Sequence, residues 1–357
     1  MIGCVIGSIR VASKFENGDM VSEFLSKSNS GVTAPVLSVE DLKTYLYLRR
    51  GELRAVDGVN LHVGEGETLG LVGESACGKT MTMLSILRLL PQEGGYSIKG
   101  RVMLDGKNLL EVSEKQMSKI YRGRKISMIL QDPLTSLNPV FSIRDQVGAP
   151  FRYHDVTHNR NEERRAVIDV LEQVRIPSPE RRLNDYPYQF SGGMRQRVAI
   201  AMAIACNPRV ILADEPTTSL DVTIQAQIIE LFRKIQREKR LGIVLVTHDL
   251  GVAANICNRI AVMYAGRIVE TGDVRLVYKS PAHPYTRALI NSIPKFGQKK
   301  GRLYAIDGTP PSLIDPPVGC RFFPRCPHGM PVCEEKYPPE VEITPGQKVS
   351  CWVVSGV

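Results

Sequence analysis

The sequence holds a single tryptophan among 357 residues, and its longest unbroken apolar run, residues 198–206, is only nine residues long. A bilayer-spanning helix needs about 18 or more consecutive apolar residues, so any membrane role must be borrowed from a partner. Glycine and proline, at 30 and 23 residues, are not in excess, which excludes a fibrous or low-complexity chain. No internal repeat and no sustained heptad pattern is visible. A secretory signal is missing too. Residues 1–8 are apolar, but no charged segment precedes them, and Arg10, Lys14, Glu16 and Asp19 follow at once. Residues 1–34 therefore read as a disordered extension, of which residues 1–19 would precede the true start if that start is Met20. Closely spaced cysteine pairs, the usual mark of structural zinc, are absent as well.

What is present is ample for a large core. The chain is 43% hydrophobic and 23% charged, which suggests one large domain with an appendage, or two domains. A net charge of +9 admits a nucleic-acid partner. Without interleaved aromatic and basic residues, the plainer reading is a basic protein that handles an anionic nucleotide beside anionic lipid.

Residues 68–72 form a short apolar run suited to a buried strand, and residues 81–90 an apolar helix. Between them Gly73, Glu74, Ser75, Ala76, Cys77, Gly78, Lys79 and Thr80 satisfy G-x-x-x-x-G-K-[ST] in the strand–loop–helix context that pattern requires. Successive backbone N–H groups would cradle phosphates at a helix start, with Lys79 on the β- and γ-phosphates and Thr80 on Mg²⁺. A second apolar strand, residues 210–214, ends in Asp214 and Glu215. Asp214 is placed to hold Mg²⁺, and Glu215 to orient and deprotonate an attacking water. A third, residues 242–247, ends in His248, whose neutral imidazole could bond the γ-phosphate or that water. Ser191, Gly192, Gly193 and Met194 open an apolar helix and offer a second anion-binding helix start. One nucleotide has no use for two such starts, whereas two chains that sandwich ATP between them do.

Together with Gln131, which follows the strand 126–130, and with Asp221, these elements resemble the ABC-type ATPases. The resemblance implies that Gln131 touches Mg²⁺ and water and senses a transmembrane partner. It implies that Ser191 and Gly193 contact ATP held by the opposing subunit, and that Asp221 lies at the dimer interface. Three departures stand out: Met194 and Phe190 in the signature, Ala76 where relatives often have glycine, and no aromatic at the expected adenine-stacking position, for which Leu46 stands and Tyr47 is the nearest candidate. About 110 residues separate phosphate loop and signature, too few for the coiled coils of DNA-working relatives.

The segments 131–139 and 282–289 resemble the oligopeptide, dipeptide and nickel importer branch, and the resemblance spans about residues 35–352. The expected fold is α/β, a P-loop NTPase of ABC type. Residues 35–284 would form the ATPase domain, with a helical signature subdomain at about 139–205, and residues 285–357 a small cysteine-rich C-terminal extension. Helices are expected at residues 161–174, 275–278 and 285–293. Cys320, Cys326, Cys333 and Cys351 are separated by five, six and seventeen residues. In a reducing compartment they suit a soft metal, an iron–sulfur cluster or zinc, or stay free thiols. The branch resemblance implies a [4Fe–4S] cluster, ATP and Mg²⁺. It also implies a second ATPase subunit, two permeases, an extracytoplasmic binding protein and a place on the cytoplasmic face of the membrane, with no nucleic acid. A DNA-associated or scaffold switch is the alternative. The transported solute is not legible, because this subunit never touches it.

Overall fold

The computed structural model describes residues 35–90, 95–132, 136–218, 220–293 and 306–356; the expectation for residues 1–34 lies outside them. In chain order, β1 (Leu37–Leu48) and β2 (Gly51–Val63) pair antiparallel, β3 (Thr68–Val72) leads into α1 (Lys79–Leu87), and β4 (Tyr96–Leu104) and β5 (Lys107–Asn108) return alongside β1. After β6 (Ile126–Ile129) come α2 (Ile143–Tyr153), α3 (Arg160–Gln173) and α4 (Gly192–Ile204), then β7 (Val210–Asp214), α5 (Val222–Lys239) and β8 (Gly242–Thr247). The chain continues through α6 (Leu250–Ile256), β9 (Arg259–Tyr264), β10 (Arg267–Asp273), α7 (Val274–Lys279), α8 (Pro284–Asn291), β11 (Glu340–Thr344) and β12 (Gln347–Ser350).

Two sheets result. A four-stranded antiparallel sheet has the order β2-β1-β4-β5, and an eight-stranded mixed sheet the order β11-β12-β10-β9-β3-β8-β7-β6. The run from β9 to β6 is parallel. A parallel sheet covered on both faces needs apolar side chains at every position, not alternate ones. Accordingly every residue of β3, β7 and β8 is buried. Leu69, Leu71, Leu212 and Val244 pack on one face with α1 and the antiparallel sheet. Val72, Ile211, Ala213 and Ile243 pack on the other with α4 and α5.

The cysteines in this core act as small hydrophobes. Cys257 leans on Gly70, where an added Cβ would lie 2.8 Å from its sulfur, and burial pushes its thiol up to about 12. The helical layer starts on capped ends: Ser142 accepts from the Asp145 N–H at 3.2 Å, and the Asn159 side chain from the N–H groups of Asn161 and Glu162. Arg152 meets the nearly buried Glu163 at 2.7 Å and ties α2 to α3.

The segment after β10 is tied down by one buried carboxylate. Glu270, 1% exposed, accepts from the N–H groups of Ala282 and His283 at 2.9 Å each and from Gln347 Nε2 at 2.8 Å. His283 caps α8, its Nδ1 accepting from the Tyr285 N–H at 3.0 Å, so the ring proton sits on Nε2. Burial pushes this imidazole down to about 3 from 6.5. The sign follows directly. Below the unfolded value the unfolded chain binds a proton that the folded chain refuses, so stability falls as pH drops. The loss should approach about 1.4 kcal/mol per pH unit below pH ~6. His283→Asn keeps a cap acceptor and removes the titration. Urea unfolding at pH 7, 6 and 5 should show a shallower acid loss for this variant than for the native chain.

Candidate nucleotide site

Because β6, β7, β8 and β3 run parallel and in register, their C-terminal ends share one edge of the sheet, the place where open α/β folds bind ligands. The phosphate loop follows β3 there. Gly78 caps α1 in the left-handed region at φ 109°, where a Cβ would collide with the Ala55 carbonyl, so only glycine fits. Ala76 also has positive φ, 60°, a strain of about 1 kcal/mol for a residue with a Cβ. Lys79 is 5% exposed and donates to the carbonyls of Gly73 and Glu74 at 2.8 Å each. Its ammonium is thus held over the loop by the loop's own backbone. Ser75 also lines the cavity, whereas the Cys77 thiol is buried against Lys79 and pushed up by burial.

Asp214 ends β7 at 2% exposure, and its Oδ1 has no hydrogen-bond partner. Burial pushes its carboxyl up, and a hydrogen bond from Thr80 partly offsets that. An orphaned carboxylate oxygen beside the Thr80 hydroxyl is a fitting pair of donors for Mg²⁺, which needs one or two protein oxygens when phosphates and waters supply the rest. Glu215 sits in the left-handed region at φ 44°. It accepts from Gln131 Nε2 at 2.9 Å and Thr218 Oγ1 at 3.0 Å, and pairs with His248 Nδ1 at 3.0 Å. Burial opposes its ionisation, but His248, Thr218 and the charge of Lys79 outweigh it and hold the carboxyl below its ordinary value. Glu215 is therefore a carboxylate at neutral pH. Thr218 was not singled out in the sequence; its only signal is a hydroxyl three residues after the acid.

A cavity of about 690 Å³ joins Ser75, Lys79, Thr80, Gln131 and Glu215. The signature residues do not line it. Ser191 caps α4, accepting from the Met194 N–H at 3.3 Å, and Ser191 and Gly192 are exposed. Gly193 has a packing reason as well: a Cβ there would lie 2.6 Å from Ile224 of α5. Asp221 caps α5, accepting from the Ile224 N–H at 2.9 Å. Tyr47 is the expected adenine-stacking candidate. It lies on the antiparallel sheet, 47% exposed, with its hydroxyl donating to Ser97 at 3.1 Å, and is not among the residues lining the cavity.

Cys320, Cys326, Cys333 and Cys351 lie in the C-terminal region. All four are free thiols: Cys333 and Cys351 are buried, Cys320 and Cys326 half-buried. Burial pushes Cys320 up to about 11, with the charges of Cys333, Cys351 and Cys326 adding to it, so the four share one neighbourhood. Among the described residues, however, no group of three His, Cys, Asp or Glu is arranged to hold a metal ion. Cys320 and Cys326 pack against the main core, and Cys351 joins Ala282 and Val349 in a small apolar cluster.

The segment that carries them reaches the phosphate loop in a way the sequence did not signal. Arg325, its side chain 4% exposed, forms a bidentate pair with Glu74 at 2.8 and 3.1 Å. Tyr285 accepts from the Glu74 N–H at 2.9 Å. Arg321 reaches the buried Asp57, which also accepts from Tyr45 at 2.6 Å and Arg267 at 2.8 Å. Burial disfavours the Asp57 charge, yet the Tyr45 hydroxyl and the two guanidinium groups hold its carboxyl below the ordinary range.

The ABC transporter family profile matches residues 56–218, and the profile of the oligopeptide/dipeptide transporter C-terminal region matches residues 269–333. The chain belongs to the ATP-binding proteins of ABC transporters. It is 50% identical to a probable peptide ABC transporter ATP-binding protein, y4tR, of Sinorhizobium fredii, over 89% of this chain and 94% of that protein. It is 46% identical to the dipeptide transport ATP-binding protein DppD of Bacillus subtilis, again over 89% and 94%. Among solved structures it is similar to the dimeric ATP-binding cassette MJ0796 in a post-hydrolysis state bound to ADP and Pi. That match has a TM-score of 0.59 and 28% identity, and covers 67% of this chain and 99% of that one.

Removing one partner of a mostly desolvated bidentate pair leaves the other short of its hydrogen bonds. Arg325→Met should therefore lower unfolding free energy by about 1–3 kcal/mol in urea denaturation, and Arg325→Lys should recover only part of it, because an ammonium cannot make both bonds.

Proposed function

We propose that this chain is the ATP-hydrolysing subunit that energises a peptide importer. The observation that carries the reading is the cavity at the strand ends, where the phosphate loop, Gln131 and Glu215 converge while Ser191 to Met194 stay outside it. The chain then holds one ATP on Gly73 to Thr80, and offers its signature to the ATP of a second, similar subunit. Lys79 neutralises the β- and γ-phosphates, and Thr80 and Asp214 hold Mg²⁺ with Gln131 nearby. Mg²⁺ supplies charge neutralisation at the phosphates. Glu215, kept ionised, accepts the proton of the attacking water; His248 and Gln131 orient it and the carboxylate. Asp221 stands at the junction of the two subunits.

The peptide names of the relatives support the substrate class, and none of the relatives reported above is a DNA-working protein. Among the described residues no helix is long and apolar enough to cross a membrane. Two permease subunits and an extracytoplasmic binding protein would complete the transporter, with this chain peripheral on the cytoplasmic face. Glu215→Gln should bind MgATP as the native chain does and hydrolyse it about 10²–10³-fold more slowly, the loss expected when a general base is neutralised. Hydrolysis by this variant at the native rate would sink the reading.

The C-terminal region is proposed to carry a [4Fe–4S] cluster on Cys320, Cys326, Cys333 and Cys351, on the chemistry of four thiols in one neighbourhood alone. Such a cluster requires their side chains to turn toward a common centre, and no catalytic step depends on it. Anaerobically purified protein should contain about four iron and four acid-labile sulfide per chain. Zinc in place of iron, or neither metal, would reject the cluster.

A further inference from the structure

The polar half of the nucleotide cavity is accounted for by phosphate and Mg²⁺ chemistry. Its other lining residues are not. Leu53 and Ala55 of β2 contribute one part, and Pro310, Pro311 and Leu313, from the segment that precedes the cysteines, contribute another. These side chains carry no hydrogen-bonding group. Pro311 and Leu313 are half-buried and Pro310 is exposed, so an apolar surface faces the cavity and is left partly open by the described residues.

That surface is built, not incidental. At one end the segment adds itself to the free edge of β2. The Arg54 N–H donates to the Leu313 carbonyl at 2.8 Å, Leu53 bridges antiparallel to Ile314, and the Asp315 N–H reaches the Glu52 carbonyl at 3.3 Å. At the other end Arg325 donates to the carbonyls of Asp307 at 2.9 Å and Ile306 at 3.2 Å. The same guanidinium grips Glu74 in the phosphate loop. One residue thus sets the spacing between the phosphate loop and the apolar segment, and the two prolines remove backbone freedom between its anchors.

A ligand whose phosphates lie on the loop and whose remainder is flat, apolar on its faces and about one nucleoside long matches this arrangement. The ring expected from Tyr47 does not line the cavity. We propose that Pro310, Pro311 and Leu313 form, with Leu53 and Ala55, the wall that receives the nucleobase of ATP. The C-terminal region thereby supplies part of the catalytic domain's own nucleotide site. Because the wall offers faces and no polar side chain, it recognises the ring by contact and not by its edge. Adenine and guanine nucleotides should then bind with similar affinity. This rests on the reading that ATP phosphates occupy residues 73–80.

Calorimetric titration of the purified full chain with MgADP, MgGDP and magnesium pyrophosphate separates base from phosphate. For the native chain, ADP and GDP should differ by less than about threefold, and both should bind more tightly than pyrophosphate. The double variant Pro310→Ser, Pro311→Ser and the single variant Leu313→Ser should each weaken ADP about tenfold, the scale of losing an aliphatic pocket contact, and leave pyrophosphate unchanged. Leu313→Phe, which restores a ring to stack on, should tighten ADP without affecting pyrophosphate. Unchanged ADP affinity in all three variants overturns the wall, as does an equal loss for ADP and pyrophosphate. A native chain that binds neither ADP nor pyrophosphate overturns the ATPase reading and the wall with it.

Discussion

Parallel pairing in register is the constraint on which everything else in this molecule depends. β3 lies between β8 and β9, and β8 beside β7, so the strands end together along one edge. Inside the sheet each position is desolvated on both faces and must be apolar. The first residues beyond the strands are the first that can be polar, and they arrive side by side: the phosphate loop after β3, Asp214 and Glu215 at the end of β7, His248 after β8, Gln131 after β6. The Glu215 N–H donates to the Val246 carbonyl at 3.0 Å, so the positive φ of this acid is held by the neighbouring strand. Strain at a single residue turns its carboxylate toward Gln131, Thr218 and His248.

The region after β10 is fastened by buried charges as well as by apolar side chains such as Tyr285 and Phe322. Glu270 gathers two backbone N–H groups and a glutamine, Asp57 gathers a tyrosine and two arginines, and Glu74 takes Arg325. Each carboxylate lies in the domain core or phosphate loop; all the partners named for Glu270 and Glu74, and Arg321 of the three on Asp57, come from the region after β10. Buried ion pairs of this kind contribute little net stability, because desolvation offsets most of the attraction. They do impose one geometry, since any slip leaves a charge unpaired. That suits a segment required to keep a fixed distance from a nucleotide.

Much of the chemistry was legible in the linear sequence, and for physical reasons. Strands 68–72, 210–214 and 242–247 coincide with β3, β7 and β8, because a strand buried on both faces shows as an unbroken apolar run. The helix expected at residues 161–174 is α3, and those at 275–278 and 285–293 are α7 and α8, within a residue or two at each end. The phosphate loop is a local motif whose spacing encodes its own turn. The pairing of Gln131 with Glu215, by contrast, spans 84 residues of sequence and is visible only in the structure.

The sequence by itself determined the residues proposed to meet the phosphates, because backbone curvature and strand ends are local properties. Tertiary structure alone decided what lines the rest of the cavity. Tyr47 was the nearest ring in the chain, but the register of β1 against β4 turns it to Ser97. Pro310, Pro311 and Leu313 lie more than 200 residues from the phosphate loop, in a stretch with no periodicity to read. They reach the cavity because the edge of β2 was free to accept one more strand and because Arg325 found Glu74. Likewise the cysteine spacing suggests a metal, while the burial of the thiols, fuller for Cys333 and Cys351 than for Cys320 and Cys326, is set by the tertiary structure. Contacts between distant segments depend on burial and on pairing of the last unsatisfied groups, and neither is written in any local pattern.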